Sequence, residues 1–192
     1  VTGNLRLWAA DAKLTGESAG DQAGWALSGA GDTNGDGLDD VLIGVPYEHA
    51  SGSYGGAAYL VLGAAVGAYG LDLADAKLTG GNSGDQAGYA VAGGGDVDGD
   101  GYADLLIGAP EEDSGGGGAG AAYLVSGPVT GEMSLRLADT VFIGENNDDM
   151  TGAAVSIVGD LDGDGHDDLL IGARLDDVAG SDAGAASFVL AP

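Results

Sequence analysis

The sequence predicts an all-β fold of β-propeller blades, three blades to the chain and four antiparallel strands to the blade. Three observations lead there. One pattern returns every 64 residues without a gap, so three units fill the 192 residues. Each unit holds four short apolar segments bounded by glycine and aspartate. No window carries the 3.6-residue apolar stripe of an amphipathic helix. Short strands recurring in fours suit radially stacked blades, whereas helical or leucine-rich solenoids need another period and another apolar spacing.

The repeat can be followed element by element. DAKLTG at residues 11–16 returns at 75–80 and, altered to DTVFIG, at 139–144. GDQAGWALSGAGD at 20–32 returns as GDQAGYAVAGGGD at 84–96 and loosely as DDMTGAAVSIVGD at 148–160. VLIGVP, LLIGAP and LLIGAR begin at Val41, Leu105 and Leu169, and GAAYLVLG, GAAYLVSG and GAASFVLA begin at Gly56, Gly120 and Gly184. In the second unit the strands are expected at 88–92, 104–108, 121–125 and about 135–142. The run at 104–108 is apolar almost throughout, which implies burial on both faces.

The units are 1–64, 65–128 and 129–192, together one propeller-forming region. The blade boundaries are offset from these limits. An outer strand at about 5–15 opens the chain without a blade of its own, and the third blade lacks an outer strand. Propellers close with typically four to eight blades, so the expectation is a homodimer in which a second chain completes a six-bladed ring.

Charge narrows the partners. Against 31 acidic residues stand five basic ones, and a surface this negative repels phosphate backbones and anionic lipid. Neither nucleic acid binding nor membrane insertion is expected, and no apolar run approaches the roughly 20 residues that cross a bilayer. VTGNLRLW at 1–8 has no basic n-region or apolar h-region, so no signal peptide is expected in this sequence. Without cysteine there is no disulfide framework and no thiolate metal site. The two histidines, His49 and His166, are too few and too scattered for a zinc cluster.

The acidic runs DTNGDGLDD, DVDGDGYAD and DLDGDGHDD recur at the same place in each unit. Hard oxygens at positions 1, 3 and 5, a carbonyl at 7 and a carboxylate at 9 suit calcium, which takes six to eight oxygen ligands. The expected ligands are Asp32, Asn34, Asp36, the carbonyl of Leu38 and Asp40 in the first loop. In the second they are Asp96, Asp98, Asp100, the Tyr102 carbonyl and Asp104, and in the third Asp160, Asp162, Asp164, the His166 carbonyl and Asp168. That makes three calcium ions per chain. Magnesium prefers a smaller octahedral shell with several waters kept. An EF-hand needs a bidentate glutamate at position 12, where this chain has Ile43, Ile107 and Ile171, and it needs flanking helices. The plain alternative is a solvated acidic turn, since Asp-Gly pairs form turns readily. Three copies that keep the oxygen pattern while their neighbours vary argue against it.

These residues carry a family resemblance. The unit resembles the FG-GAP repeat of the integrin α-subunit β-propeller over essentially the whole chain. The GAP element is intact at Gly108-Ala109-Pro110 and altered at Gly44-Val45-Pro46 and Gly172-Ala173-Arg174. Only the glycine of the FG element remains, at Gly24, Gly88 and Gly152. The resemblance implies a propeller with calcium in strand–loop–strand hairpins. It does not carry over integrin ligand binding, which depends on a partner subunit not represented in this sequence.

Other features weigh less. Trp25 and Tyr89 occupy equivalent places, and packing between blades is expected of them rather than stacking on a sugar. Trp8 aligns with Asp72 and Arg136 and is expected to be exposed. The run at 114–118 lacks the Lys-Ser/Thr of a phosphate loop and reads as a flexible connection. The His166 ring is expected to face water. There is no catalytic triad and no acid–base pair outside the acidic loops, so no catalysis is expected. The expected function is a non-catalytic calcium-binding scaffold for protein or glycan ligands in a secreted or cell-surface adhesion protein. The alternative is an enzyme acting on carbohydrate or phosphoester, or the accessory propeller of one. Calcium caged by carboxylates has no open position for Lewis-acid chemistry, which favours the scaffold.

Overall fold

The computed structural model describes residues 6–50, 52–63 and 65–192, so Leu5, at the expected start of the first strand, lies outside the described residues. The fold is all-β, with 14 strands and three 3-10 turns among the described residues. β1 (Ala12–Thr15) precedes the first blade. That blade is β2 (Ala26–Gly31), β3 (Asp40–Val45), β4 (Ala57–Val61) and β6 (Ala76–Thr79), antiparallel in that order. The second is β7 (Ala90–Gly95), β8 (Asp104–Ala109), β9 (Ala121–Val125) and β11 (Thr140–Ile143). The third has β12 (Thr151–Gly159), β13 (Asp168–Ala173) and β14 (Ala185–Val189), and among the described residues β14 has no outer neighbour.

The sequence misreads two outer strands: of the one expected at about 5–15, Leu7–Ala9 form a 3-10 turn and, among the described residues, only Ala12–Thr15 are strand. The outer strand expected at 135–142 is broken: Leu135–Leu137 form a 3-10 turn and the strand starts at Thr140. Before the turn lies an unexpected short strand, β10 (Gly131–Ser134), running parallel to β6 of the first blade. β5 (Gly67–Gly70) pairs with β1 in the same way. The blades are therefore antiparallel sheets stitched to their neighbours by short parallel strands, which four-residue segments without alternation do not announce.

The middle strands owe their continuous apolar runs to stacking on both sides. Leu105 and Ile107 of β8 point toward the first blade and pack with Leu42, Leu60 and Leu78. Leu106 points the other way and packs, with Leu124, against Leu169 and Ile171 of the third blade. Each such side chain contributes about 1.5–3 kcal/mol by leaving water. Glycine sets how closely the sheets approach. A methyl group on Gly44 would overlap the Gly88 carbonyl oxygen, and one on Gly108 would overlap that of Gly152.

On the outer strand of the first blade, Lys77 is held in an ion triad. Its Nζ lies 3.0 Å from Glu48 Oε1 and 3.0 Å from Glu17 Oε2, and 5.2 Å from the centre of the Tyr59 ring. Burial pulls the ammonium pKa down, but Tyr59, Glu17 and Glu48 together raise it above its ordinary value. The equivalent residue of the second blade is Val141, and Glu112 there accepts from the Ser114 backbone N–H at 2.9 Å.

Candidate metal centres

The three acidic loops are the hairpin turns β2–β3, β7–β8 and β12–β13. Each begins just after the last glycine of one strand and ends on the first residue of the next. Gly37, Gly101 and Gly165 take φ of 85°, 92° and 100°, a left-handed conformation that side chains resist. That turn aims backbone N–H groups at the first aspartate. Asp32 accepts from Gly35 at 2.7 Å, from Asp36 at 3.1 Å and from Gly37 at 2.8 Å. Asp160 accepts the matching bonds from Gly163, Asp164 and Gly165, and Asp96 accepts from Asp100 and Gly101. The bond from Gly37 is the main reason the Asp32 carboxyl sits below its usual range, and that from Gly163 does the same for Asp160.

The ninth position is the opposite kind of site. Asp40, Asp104 and Asp168 are buried, at 1%, 0% and 0% exposure. One oxygen of each accepts a hydrogen bond across its own loop, from Thr33, Val97 and Leu161. The other accepts from Gly63, Gly127 and Ala191 at the end of the following strand. For Asp104 burial dominates and pushes the carboxyl up, the charges of Asp98 and Asp96 adding to it against the two N–H bonds.

Positions 1, 3 and 9 converge. Asp96, Asp98 and Asp104 each present an oxygen, and these lie within 4.8 Å of one another; Asp160, Asp162 and Asp168 do the same. The fifth-position residues Asp100 and Asp164 stand outside these groups. One oxygen of each, and of Asp36, accepts from the seventh-position backbone N–H at 2.9 Å, that is from Tyr102, His166 and Leu38. In the first loop Asn34 takes the third position, and its Nδ2 donates to Asp36 Oδ2 at 3.1 Å. Clustered carboxylates, one of them desolvated, form a donor set that fits a hard divalent cation.

The His166 ring does not face water as expected. It is part-buried, with Nδ1 3.2 Å from the Val97 carbonyl of the preceding loop, and lies over Gly99 as Tyr102 lies over Gly35. The second and third loops thus each rest on the one before. Trp25 of the first blade and Tyr89 of the second pack against each other between the blades, as expected, at their exposed rim. Trp25 is 46% exposed, with ring centres 5.4 Å from Tyr89 and 5.8 Å from Tyr47, and Tyr47 is 5.5 Å from Tyr54. This aromatic cluster sits at the end of the hairpin opposite the acidic loop. Tyr47 and Tyr54 escaped the sequence reading because neither recurs in the other units. Trp8 is exposed as expected, at 82%.

The model of the FG-GAP repeat matches residues 23–61, 87–125 and 151–189. Integrin alpha-4 of Xenopus laevis is 34% identical over 176 residues, covering 85% of this chain and 15% of that protein. Integrin alpha-PS5 of Drosophila melanogaster is 34% identical over 163 residues, covering 82% of this chain and 15% of its own length. Integrin alpha pat-2 of Caenorhabditis elegans is 31% identical over 157 residues, covering 74% of this chain and 12% of that protein. The chain thus spans 12–15% of the length of these relatives.

Proposed function

The chain belongs to the FG-GAP repeat family and is integrin α-like, and from that premise we propose that it is a non-catalytic, calcium-held β-propeller module presenting a face to a protein or glycan ligand. The observation that supports the metal is the convergence of Asp96, Asp98 and Asp104, and of Asp160, Asp162 and Asp168, on one point each. Calcium there would neutralise carboxylates that otherwise repel one another across each hairpin. The first loop would hold its ion through Asp32, Asn34 and Asp40. Extracellular modules bind calcium at about 10⁻⁴–10⁻³ M, which suits a module outside the cell or on its surface.

The ligand face in this reading is the aromatic cluster of Trp25, Tyr47, Tyr54 and Tyr89, away from the acidic loops. Aromatic rings offer apolar area and stacking to a sugar or a protein anchor.

Thermal unfolding with and without chelator tests the metal. Each occupied site adds about 2.7 kcal/mol at a hundredfold excess over its dissociation constant. The melting temperature is expected to fall sharply in chelator and to recover with calcium better than with magnesium. An unchanged curve sinks the calcium reading. A glycan and peptide panel, run beside a hydrolase panel on the same preparation, tests the rest. Binding is expected, weakened by Trp25→Ala, and turnover of any hydrolase substrate would overturn the non-catalytic role.

A further inference from the structure

We propose that the cleft between the outer parts of the first and second blades binds an alkylammonium group, the chemistry of a lysine side chain, between Glu112 and the Tyr123 hydroxyl. The site depends on neither the calcium reading nor the aromatic cluster, and it has a sheet on either side.

The first blade shows what such a place holds. Tyr59 of β4 stands opposite Lys77 of β6. The Lys77 ammonium donates to Glu48 Oε1 at 3.0 Å and to Glu17 Oε1 and Oε2 at 3.1 and 3.0 Å. The Tyr59 hydroxyl donates to Glu17 Oε1 at 3.0 Å. One unit later the tyrosine and the glutamate return as Tyr123 and Glu112, but Lys77 becomes Val141 and Glu17 becomes Gly81. Tyr123 of β9 stands opposite Val141 of β11 in the same register. The second blade keeps the pocket and has lost its cation.

The two groups that remain are buried without their partners. Tyr123 is 5% exposed and Glu112 4%. Among the described residues the Tyr123 hydroxyl makes no hydrogen bond, and no cation lies within 4 Å of Glu112. Glu112 accepts only from its neighbour Ser114, through the backbone N–H at 2.9 Å and the hydroxyl. A buried carboxylate without a counter-charge is costly. An ammonium carries three donors and no acceptor. It would give one hydrogen to Glu112, one to the Tyr123 oxygen and keep one for water.

The other groups facing the cleft select this chemistry. Burial pushes the Tyr123 phenol pKa up, and the charges of Glu112 and Asp85 push the same way against Arg136. Asp85 is buried, and its Oδ2 lies 3.4 Å from where a methyl group on Gly81 would stand. Arg136 does not take the part of Lys77. It is exposed, and it donates from Nε to the Gly81 carbonyl at 3.0 Å and from Nη2 to Asn82 Oδ1. Neither Glu112 nor Asp85 belongs to a converging group of three carboxylates, so the cleft lacks the donor set of a divalent cation. Its volume is about 300 Å³, and Val141 and Ile143 line it as well. They are 38% and 51% exposed and offer an apolar wall to a methylene stem.

Titration of the 192-residue chain with N-acetyl-lysine methylamide in calcium, followed by the nuclear magnetic resonance signals of the Tyr123 ring, tests the site. A saturable shift is expected. The norleucine analogue keeps the stem without the ammonium and should bind at least about tenfold more weakly. Glucosamine, an ammonium without a stem, should also bind more weakly. Val141→Lys supplies the cation from the chain itself and should abolish the shift, with native circular dichroism because position 141 is on an exposed edge strand. Glu112→Gln keeps the shape, removes the charge and should weaken the lysine probe about tenfold, which decides the matter if Val141→Lys does not fold. The absence of a saturable shift overturns the proposal. So does norleucine or glucosamine binding as tightly as the lysine probe, and so does a folded Val141→Lys chain that still binds it unchanged.

Discussion

Asp104–Ala109 and Asp168–Ala173 are the same six residues, DLLIGA, and both form the middle strand of a blade. All six are buried in the second blade, while Leu170, Gly172 and Ala173 of the third are only partly so. Local sequence makes the strand in both places, with the same aspartate receiving hydrogen bonds at its start. What differs is the neighbour. Among the described residues the second blade has sheets on both faces, and the third on one. The same leucine is worth little or much according to what lies opposite.

The widest gap between the two copies should come from their glycines. Gly108→Ala drives a methyl group into the Gly152 carbonyl and should cost at least about 3 kcal/mol. Gly172→Ala should cost less than about 0.5 kcal/mol. Denaturant titration of both variants checks this, and equal losses would mean that the third blade is as enclosed as the second.

Leucine truncation gives a similar contrast. Leu106→Ala should cost about 3 kcal/mol, because it leaves a cavity between two packed sheets. Leu170→Ala, at the partly buried face, should cost about 1 kcal/mol or less.

The outer strands sharpen the comparison further. Lys77→Met leaves Glu48, 5% exposed, without its cation and should cost about 2 kcal/mol at neutral pH. The folded-state pKa of Lys77 is raised. Its stabilisation is therefore complete below the ordinary lysine value of about 10.4 and is lost as pH rises through the higher folded value. The difference between variant and parent should shrink over that alkaline range. A difference independent of pH would point to lost packing of the lysine stem instead.

The smallest effect is expected at the loops. The first loop presents one carboxylate fewer than the others because Asn34 replaces the aspartate found at Asp98 and Asp162. Ligand charge is one determinant of calcium affinity, so the first site should be the weakest and Asn34→Asp should tighten it severalfold. Loss of the Asn34–Asp36 hydrogen bond works against that gain. Site-resolved titration that finds the first site tightest would show that loop rigidity outweighs charge.

The period, the strand positions near DLLIGA and GAAYLV, and the acidic loops could all be found from residue order, because each depends on neighbours within a few positions. Alternation, a glycine where φ must be positive and carboxylates at odd positions of one turn are short-range facts, and repetition marks them three times. The parallel strands β5 and β10, the Tyr47 and Tyr54 members of the aromatic cluster, and the His166 ring resting on the Val97 carbonyl could not. The parallel strands and the His166 contact join one unit to the next, and the tyrosines meet within the first unit from positions that do not recur. Likewise nothing in DLLIGA says which copy is enclosed, since burial belongs to the sheet that arrives opposite. Tertiary structure alone decided that, because among the described residues sheets lie on both faces of one copy and on a single face of the other.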